Sequence, residues 1–304
     1  MAKFIIVTPP YVGNSFGIKT LHHLAHALNE VGHQARILFM AIDGAGKQSF
    51  GFMGRPGGTN PEFNTPELAS GDGFAGTDCI VVYPEIVPDN PIGATRVVRY
   101  FLNVDGKVAG QKIALGPNDF ELTFHQHFRP EAHFVLSNTG FHPAFHAANT
   151  RPAAQRMLDV TYIGKGDKYV KVGTIKDTLL ITRNWPADQA QLALLLRQTR
   201  FFYTWDANSS INVEAVLCGA VPFFLTYEPL TRERIDATEM GYLPRLDAGM
   251  KDARFDPVQF ERDRAALIGR IEGIQRSWPQ RVAEFAAAAE RHFSPTAARA
   301  AVCA

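Results

Sequence analysis

The sequence predicts an α/β protein built from two Rossmann-like domains, and three observations lead there. Its 304 residues suit two domains of about 150 each. Short β-rich apolar runs, KFIIVT near the start and VTY, TLLIT and FFYT in the second half, alternate with amphipathic helical patterns. The stretch Phe201–Leu225, FFYTWDANSSINVEAVLCGAVPFFL, reads as strand, polar loop, short helix, glycine stop and strand.

In chain order, Lys3 to Thr8 is a buried first strand, and the loop PPYVGNSFG leads into a helix over about Ile18–Val31. Leu21, Leu24, Ala25, Leu28 and Val31 recur there at helical spacing. Ala35 to Met40 is the second strand. Gly13 and Gly17 in the first strand–helix loop either cradle a phosphate or make a tight turn. They do not form the dinucleotide GxGxxG pattern, which argues against a nicotinamide dehydrogenase. Ile42 to Gly76 is Gly- and Pro-rich and reads as a long rim loop. Asp78 to Tyr83 is a strand. Glu85 follows its carboxyl end, where α/β sheets hold ligands, and serves either an acceptor hydroxyl or a helix cap. Ala94 to Leu102 reads as a helix, Lys112 to Leu115 and Phe120 to Phe124 as strands, and His133 to Leu136 as another. Between them, His125, His127 and Arg129 cluster in HQHFRP.

The domain boundary is expected near Ala147–Gln155, giving domains 1–150 and 151–304. VTYIGKGDKY is then a strand ending in a Gly-Lys-Gly loop, TLLITR a strand ending in Arg183, and Asp188–Gln198 an amphipathic helix. In the stretch described above, Asp206, Asn208, Ser209 and Ser210 offer N-caps to a helix from Ile211 to Cys218, and Gly219 ends it. A helix start whose N–H groups face outward is an anion-binding device, here flanked by Asp206 and Glu214. Helices over Asp256–Arg276 and Arg281–His292 finish the chain.

Composition narrows the classes. Hydrophobic residues make up 46% and charged residues 20%, as in a soluble globular protein. No apolar run approaches the ~20 residues of a membrane span, and the start has no signal-peptide architecture. Cys79, Cys218 and Cys303 are too few and too scattered for a metal site or disulfide framework, so no metal and a cytoplasmic location are expected. Peripheral contact with a membrane through the Lys/Arg-bearing late helices stays open. The net charge of +1 gives no strong nucleic-acid signal and lends no support to a modified DNA base as a substrate. Residues 1–150 carry 10 basic and 12 acidic side chains, and residues 151–304 carry 21 and 18.

The spacing from Asp206 through seven residues to Glu214, then Ala, a small residue, Gly and Pro, resembles the donor signature of retaining GT-B glycosyltransferases. YPEIVPDNPIGATRVVRYFLN resembles a segment of bacterial surface-polysaccharide members. The likeness covers residues 160–225 well and 1–40 moderately. It implies two Rossmann-like domains facing each other across a cleft, the last helix returning to the first domain. It also implies a nucleoside-diphosphate sugar as donor, a UDP-sugar foremost, with no separate cofactor. Glu214 would bind the ribose, and Lys165 and Arg183 the diphosphate. Gly13, Gly17, Asn208, Ser209 and Ser210 would approach the donor. Asp206, which stands where the family has Glu, would lie near the transferred sugar together with His125. Glu85 would serve as a base or acceptor ligand. The acceptor would be a glycan, lipid-linked glycan or other hydroxyl compound. A sugar-nucleotide epimerase of the same double fold and a non-catalytic nucleotide-sugar binding protein are the alternatives.

Overall fold

A computed structural model describes residues 1–42, 48–50, 58–69, 73–74, 78–146, 155–170, 177–228, 230–248 and 255–294. About half of the expected rim loop and most of the expected boundary segment lie outside the described residues. The chain divides into two compact units. One is Met1–Gly140 with Gln275–Ala304, and the other is Phe141–Ile274. The division therefore falls at Gly140 rather than at 150.

The first unit is a seven-stranded sheet. Its strands are β1 (Lys3–Thr8), β2 (Gln34–Ile42), β3 (Gln48–Phe50), β4 (Cys79–Pro84), β5 (Arg96–Phe101), β6 (Phe120–Thr123) and β7 (Phe134–Val135), in the order β3-β2-β1-β4-β5-β6-β7. Every pairing is parallel except that of β2 with β3. Alternation along β1 separates two cores. Phe4 and Ile6 face the helix α1 (Phe16–Glu30), through Leu21, Leu24 and Leu28, and also meet Val282, Phe285 and Ala289 of the last helix. Ile5 and Val7 join Met40, Val81 and Tyr83 on the other face. Leu68, Phe74, Ile86 and Ile92, from loops rather than helices, pack against that second core.

The second unit has five parallel strands: β8 (Leu158–Tyr162), β9 (Leu179–Ile181), β10 (Thr199–Thr204), β11 (Val221–Phe224) and β12 (Leu246–Asp247), ordered β12-β11-β10-β8-β9. In order of appearance this is 2-1-3-4-5, a doubly wound sheet whose strand order reverses between β8 and β10. Helix α2 (Gln189–Gln198) starts where the Asp188 side chain accepts from the Gln191 N–H at 2.8 Å. The seven residues of α3 (Ile211–Leu217) are all buried. Gly219, at φ +80°, supplies the left-handed stop. A short α4 (Arg232–Asp236) precedes β12.

Three expectations are corrected. Ala94–Leu102 is no helix; Arg96–Phe101 is β5, with Val97, Val98, Tyr100 and Phe101 buried. A central strand buried on both faces loses the period-2 signal, and RVVRYF then imitates a helix. Lys112–Leu115 forms no strand. The two closing helices are one, α5 (Pro257–His292), which runs through Pro279. Proline forgoes one helical hydrogen bond, but packing holds both sides of it. Trp278, Val282 and Phe285 enter the first unit's core, and Arg281 donates to the Val135 carbonyl at 2.8 Å. No helix among the described residues is long and apolar enough to cross a membrane.

Candidate functional site

In an open parallel sheet, ligands bind outside the carboxyl ends of the strands where the order reverses, because the flanking loops there diverge and leave a crevice. In the second unit that point lies between the loops following β8 and β10. The β8 loop is Ile163–Gly166 and the β10 loop Trp205–Ser210. The backbone N–H of Lys165 donates to Asp206 Oδ2 at 3.0 Å, latching one loop to the other. Trp205 N–H donates to the Tyr162 carbonyl at 3.0 Å alongside it.

The approach is so close that only glycine fits. A Cβ on Gly166 would lie 2.0 Å from the Trp205 carbonyl oxygen. One on Gly164, at φ +57°, would lie 2.5 Å from the Tyr162 ring and 2.7 Å from Asp206 Oδ2. The Gly-Lys-Gly sequence is therefore first a packing device. It leaves the Lys165 side chain exposed at the switch point.

Asp206 is 5% exposed, and its backbone is as constrained as its carboxylate. Its N–H donates to Thr204 Oγ1 at 3.1 Å, and its carbonyl accepts from Asn212 Nδ2 at 2.9 Å and from the Ser209 N–H at 3.3 Å. One carboxylate oxygen is thus committed to holding the loops.

The helix-start anion device needs correction. The N–H groups of Asn212, Val213 and Glu214 donate to the carbonyls of Ser209, Ser210 and Ser210 at 3.0–3.1 Å. Ser210 takes the N-cap position with helical dihedrals and no side-chain cap bond. The tight turn thus engages the Asn212 and Val213 amides, two of those that a free helix start would present, while the Glu214 bond is the helix's own first i→i−4 bond.

Tyr162, which nothing in the local sequence singled out, sits at the end of β8 among the predicted residues. Burial pushes its hydroxyl above the ordinary phenol range. A hydrogen bond with the Ser209 side chain opposes that rise, as does the Arg183 charge, whereas Asp206 and Glu214 add to it. One phenol therefore feels Asp206, Ser209, Arg183 and Glu214 at once. The pairing of β8 with β10 across some 40 residues of chain makes this possible. Arg183 is exposed, two residues past the carboxyl end of β9, and Glu214 is 5% exposed on α3. Asn208, Ser209 and Ser210 are half-buried in the β10 loop. Tyr162→Phe, which deletes the bond to Ser209, is expected to lower the second unit's stability by about 1 kcal/mol, read as a shift of the urea midpoint.

Gly13, Gly17, Glu85 and His125 belong to the first unit. Gly13 lies in the turn after β1. Gly17 is inside α1, where a Cβ would make only ordinary contact with Leu102 at 3.7 Å, so no close approach requires glycine there. Glu85, 4% exposed, follows β4; its Oε2 accepts from the Leu102 N–H at 3.0 Å and tethers the end of β5. His125 follows β6 and is 5% exposed, its ring packed between Phe124, Phe128 and the stacked ring of His127. Among the described residues no three His, Cys, Asp or Glu side chains converge as metal ligands.

No family model matches the chain, and no curated protein matches it. Among solved structures it is similar to an alpha-glucosyltransferase in complex with UDP, with TM-score 0.43, 9% identity and 96% of each chain covered. An alpha-glucosyltransferase with UDP and a 13-mer DNA containing a central A:G mismatch gives TM-score 0.43, 11% identity and 93% of each chain. One with UDP-glucose and DNA containing an abasic site gives TM-score 0.40, 9% identity and 95% of each chain. Two of these three are DNA complexes, which goes against the expectation, drawn from the charge balance, of no strong nucleic-acid signal.

Proposed function

We propose that this protein is a glycosyltransferase that binds a nucleoside-diphosphate sugar, a UDP-sugar foremost, on its second unit and transfers the sugar to a hydroxyl-bearing acceptor. The observation that carries the reading is the latch from the Lys165 N–H to Asp206 at the strand-order reversal. Around it stand Arg183 and Glu214, within electrostatic reach of Tyr162. These are the residues that the donor-signature resemblance names. In this reading Glu214 accepts from the ribose hydroxyls. Lys165 and Arg183 stabilise the negative charge that develops on the departing nucleoside diphosphate, which fixed cations do best when they need no reorganisation. Asp206 holds the loop that supports them. Retention of anomeric configuration rests on the resemblance.

Calorimetry of the whole chain against UDP-, GDP-, ADP- and CMP-sugars tests this. One class is expected to bind, and Glu214→Ala is expected to weaken it by about 1–3 kcal/mol, roughly five- to 150-fold. Unchanged affinity in a folded variant contradicts the assignment. Donor consumption without any acceptor would turn the reading toward epimerisation.

A further inference from the structure

A narrow notch in the first unit lies beside the loop that follows β1. Tyr11, Phe16, Lys19, Thr20, His23, Phe63, Asn138 and Gly140 line it. Tyr11 and Phe63 meet edge to face at 5.9 Å between centroids, and His23 leans on Phe63 at 4.6 Å. The floor encloses about 30 Å³, room for one hydroxyl- or carbonyl-sized group.

Each wall is pinned from behind. Tyr11 N–H donates to the Gly58 carbonyl at 2.8 Å. Asn64, next to Phe63, donates its N–H to His26 Nδ1 at 3.0 Å and accepts from Asn29 at 2.8 Å. Gly140 N–H donates to Asn138 Oδ1 at 2.8 Å, which orients that amide so that its Nδ2 donates to His23 Nδ1 at 2.7 Å. The neutral His23 ring then carries its proton on Nε2 and is a hydrogen-bond donor. Thr20 Oγ1 is spent on the Phe16 carbonyl at 2.9 Å. Preformed aromatic walls around a fixed donor suit a ring that carries a small hydrogen-bond acceptor.

We infer that this notch takes one ring of the acceptor, seating a hydroxyl or carbonyl substituent toward His23 while the ring face rests on Tyr11 and its edge meets Phe63, whose plane stands at 85° to that of Tyr11. The inference rests on the transferase reading for the word acceptor, but the notch itself can be tested without turnover. A glycoside and a nucleoside both offer such a ring, and two probes separate them.

The side-chain ¹⁵N resonances of His23, assigned with His23→Gln, would be followed in the whole chain during titration with methyl β-glucoside and with thymidine. One of the two is expected to move the Nε2 resonance saturably, with Phe63→Leu weakening that binding at least fivefold. Silence with both probes, or affinity within twofold in Phe63→Leu, overturns the inference. Calorimetry with nucleotide sugars is read on the same sample. Donor binding beside a silent notch removes this inference alone, and a responsive notch without donor binding removes the transferase reading.

Discussion

Gly166→Ala is expected to be among the most damaging single-methyl changes in this chain, costing about 2–4 kcal/mol of the second unit's stability. The added Cβ would lie 2.0 Å from the Trp205 carbonyl oxygen, and both partners are backbone, so no side chain can swing aside. The β8 and β10 loops would have to separate, which breaks the bond from Lys165 to Asp206. Donor binding should then fall together with stability. Gly273→Ala is the matched control. It lies in α5 with nothing within 4 Å of its would-be Cβ, and in a helix the change should stabilise by about 0.5–1 kcal/mol. Urea unfolding of the two variants beside the parent decides it. A Gly166→Ala midpoint within error of the parent would mean that the loops are not locked as described.

Acid is expected to destabilise the first unit through His22. This residue is fully buried on α1 beneath Tyr11 and Phe39. Its Nε2 donates to the Pro9 carbonyl at 3.1 Å, and its Nδ1 is buried without a hydrogen-bond partner. A proton added at Nδ1 would thus sit in an apolar core with nothing to accept it. Burial lowers the imidazole pKa from 6.5 to about 4, and the bond to Pro9 offsets only part of that. Because the folded value lies below the unfolded one, the stabilisation is complete above about pH 6.5. It is lost as pH falls toward 4, a difference on the order of 3 kcal/mol. His23, His33 and His133 are also shifted down by burial in the same unit and steepen the dependence. Denaturant unfolding at pH 7.5 and pH 4.5 should show the loss in the parent chain and a clearly smaller one in His22→Phe. Equal losses in both would remove His22 as the cause.

Both predictions come from contacts that join distant stretches of chain. What local sequence reveals here is uneven for the same reason. Lys3–Thr8, the helix over Asp188–Gln198, Gly219 as a stop and the strand–loop–helix–strand corner around Asp206 are legible because their signals act within about one helical turn or strand. Arg96–Phe101 looks helical in sequence because a strand buried on both faces has no alternation to show. Pro279 suggested a break that packing on both sides overrides.

The candidate site divides along the same line. The residue types, two acids with seven residues between them and a lysine between glycines, stand in the sequence. Their partners do not. That Asp206 receives the Lys165 N–H, that Tyr162 lies within electrostatic reach of Asp206, Arg183 and Glu214, and that Glu85 tethers the end of β5 all follow from which strands lie side by side.

Neighbouring residues alone set the alternation of strands and helices, the corner that carries Asp206 and Glu214, and the placing of Lys165 between two glycines. Long-range packing settled which loops meet, that the Asn212 and Val213 amides of α3 are already engaged, and where the two units divide. Local propensity is set by neighbours a few residues apart, whereas the pairing of β8 with β10 is a long-range choice made by burial of the whole sheet.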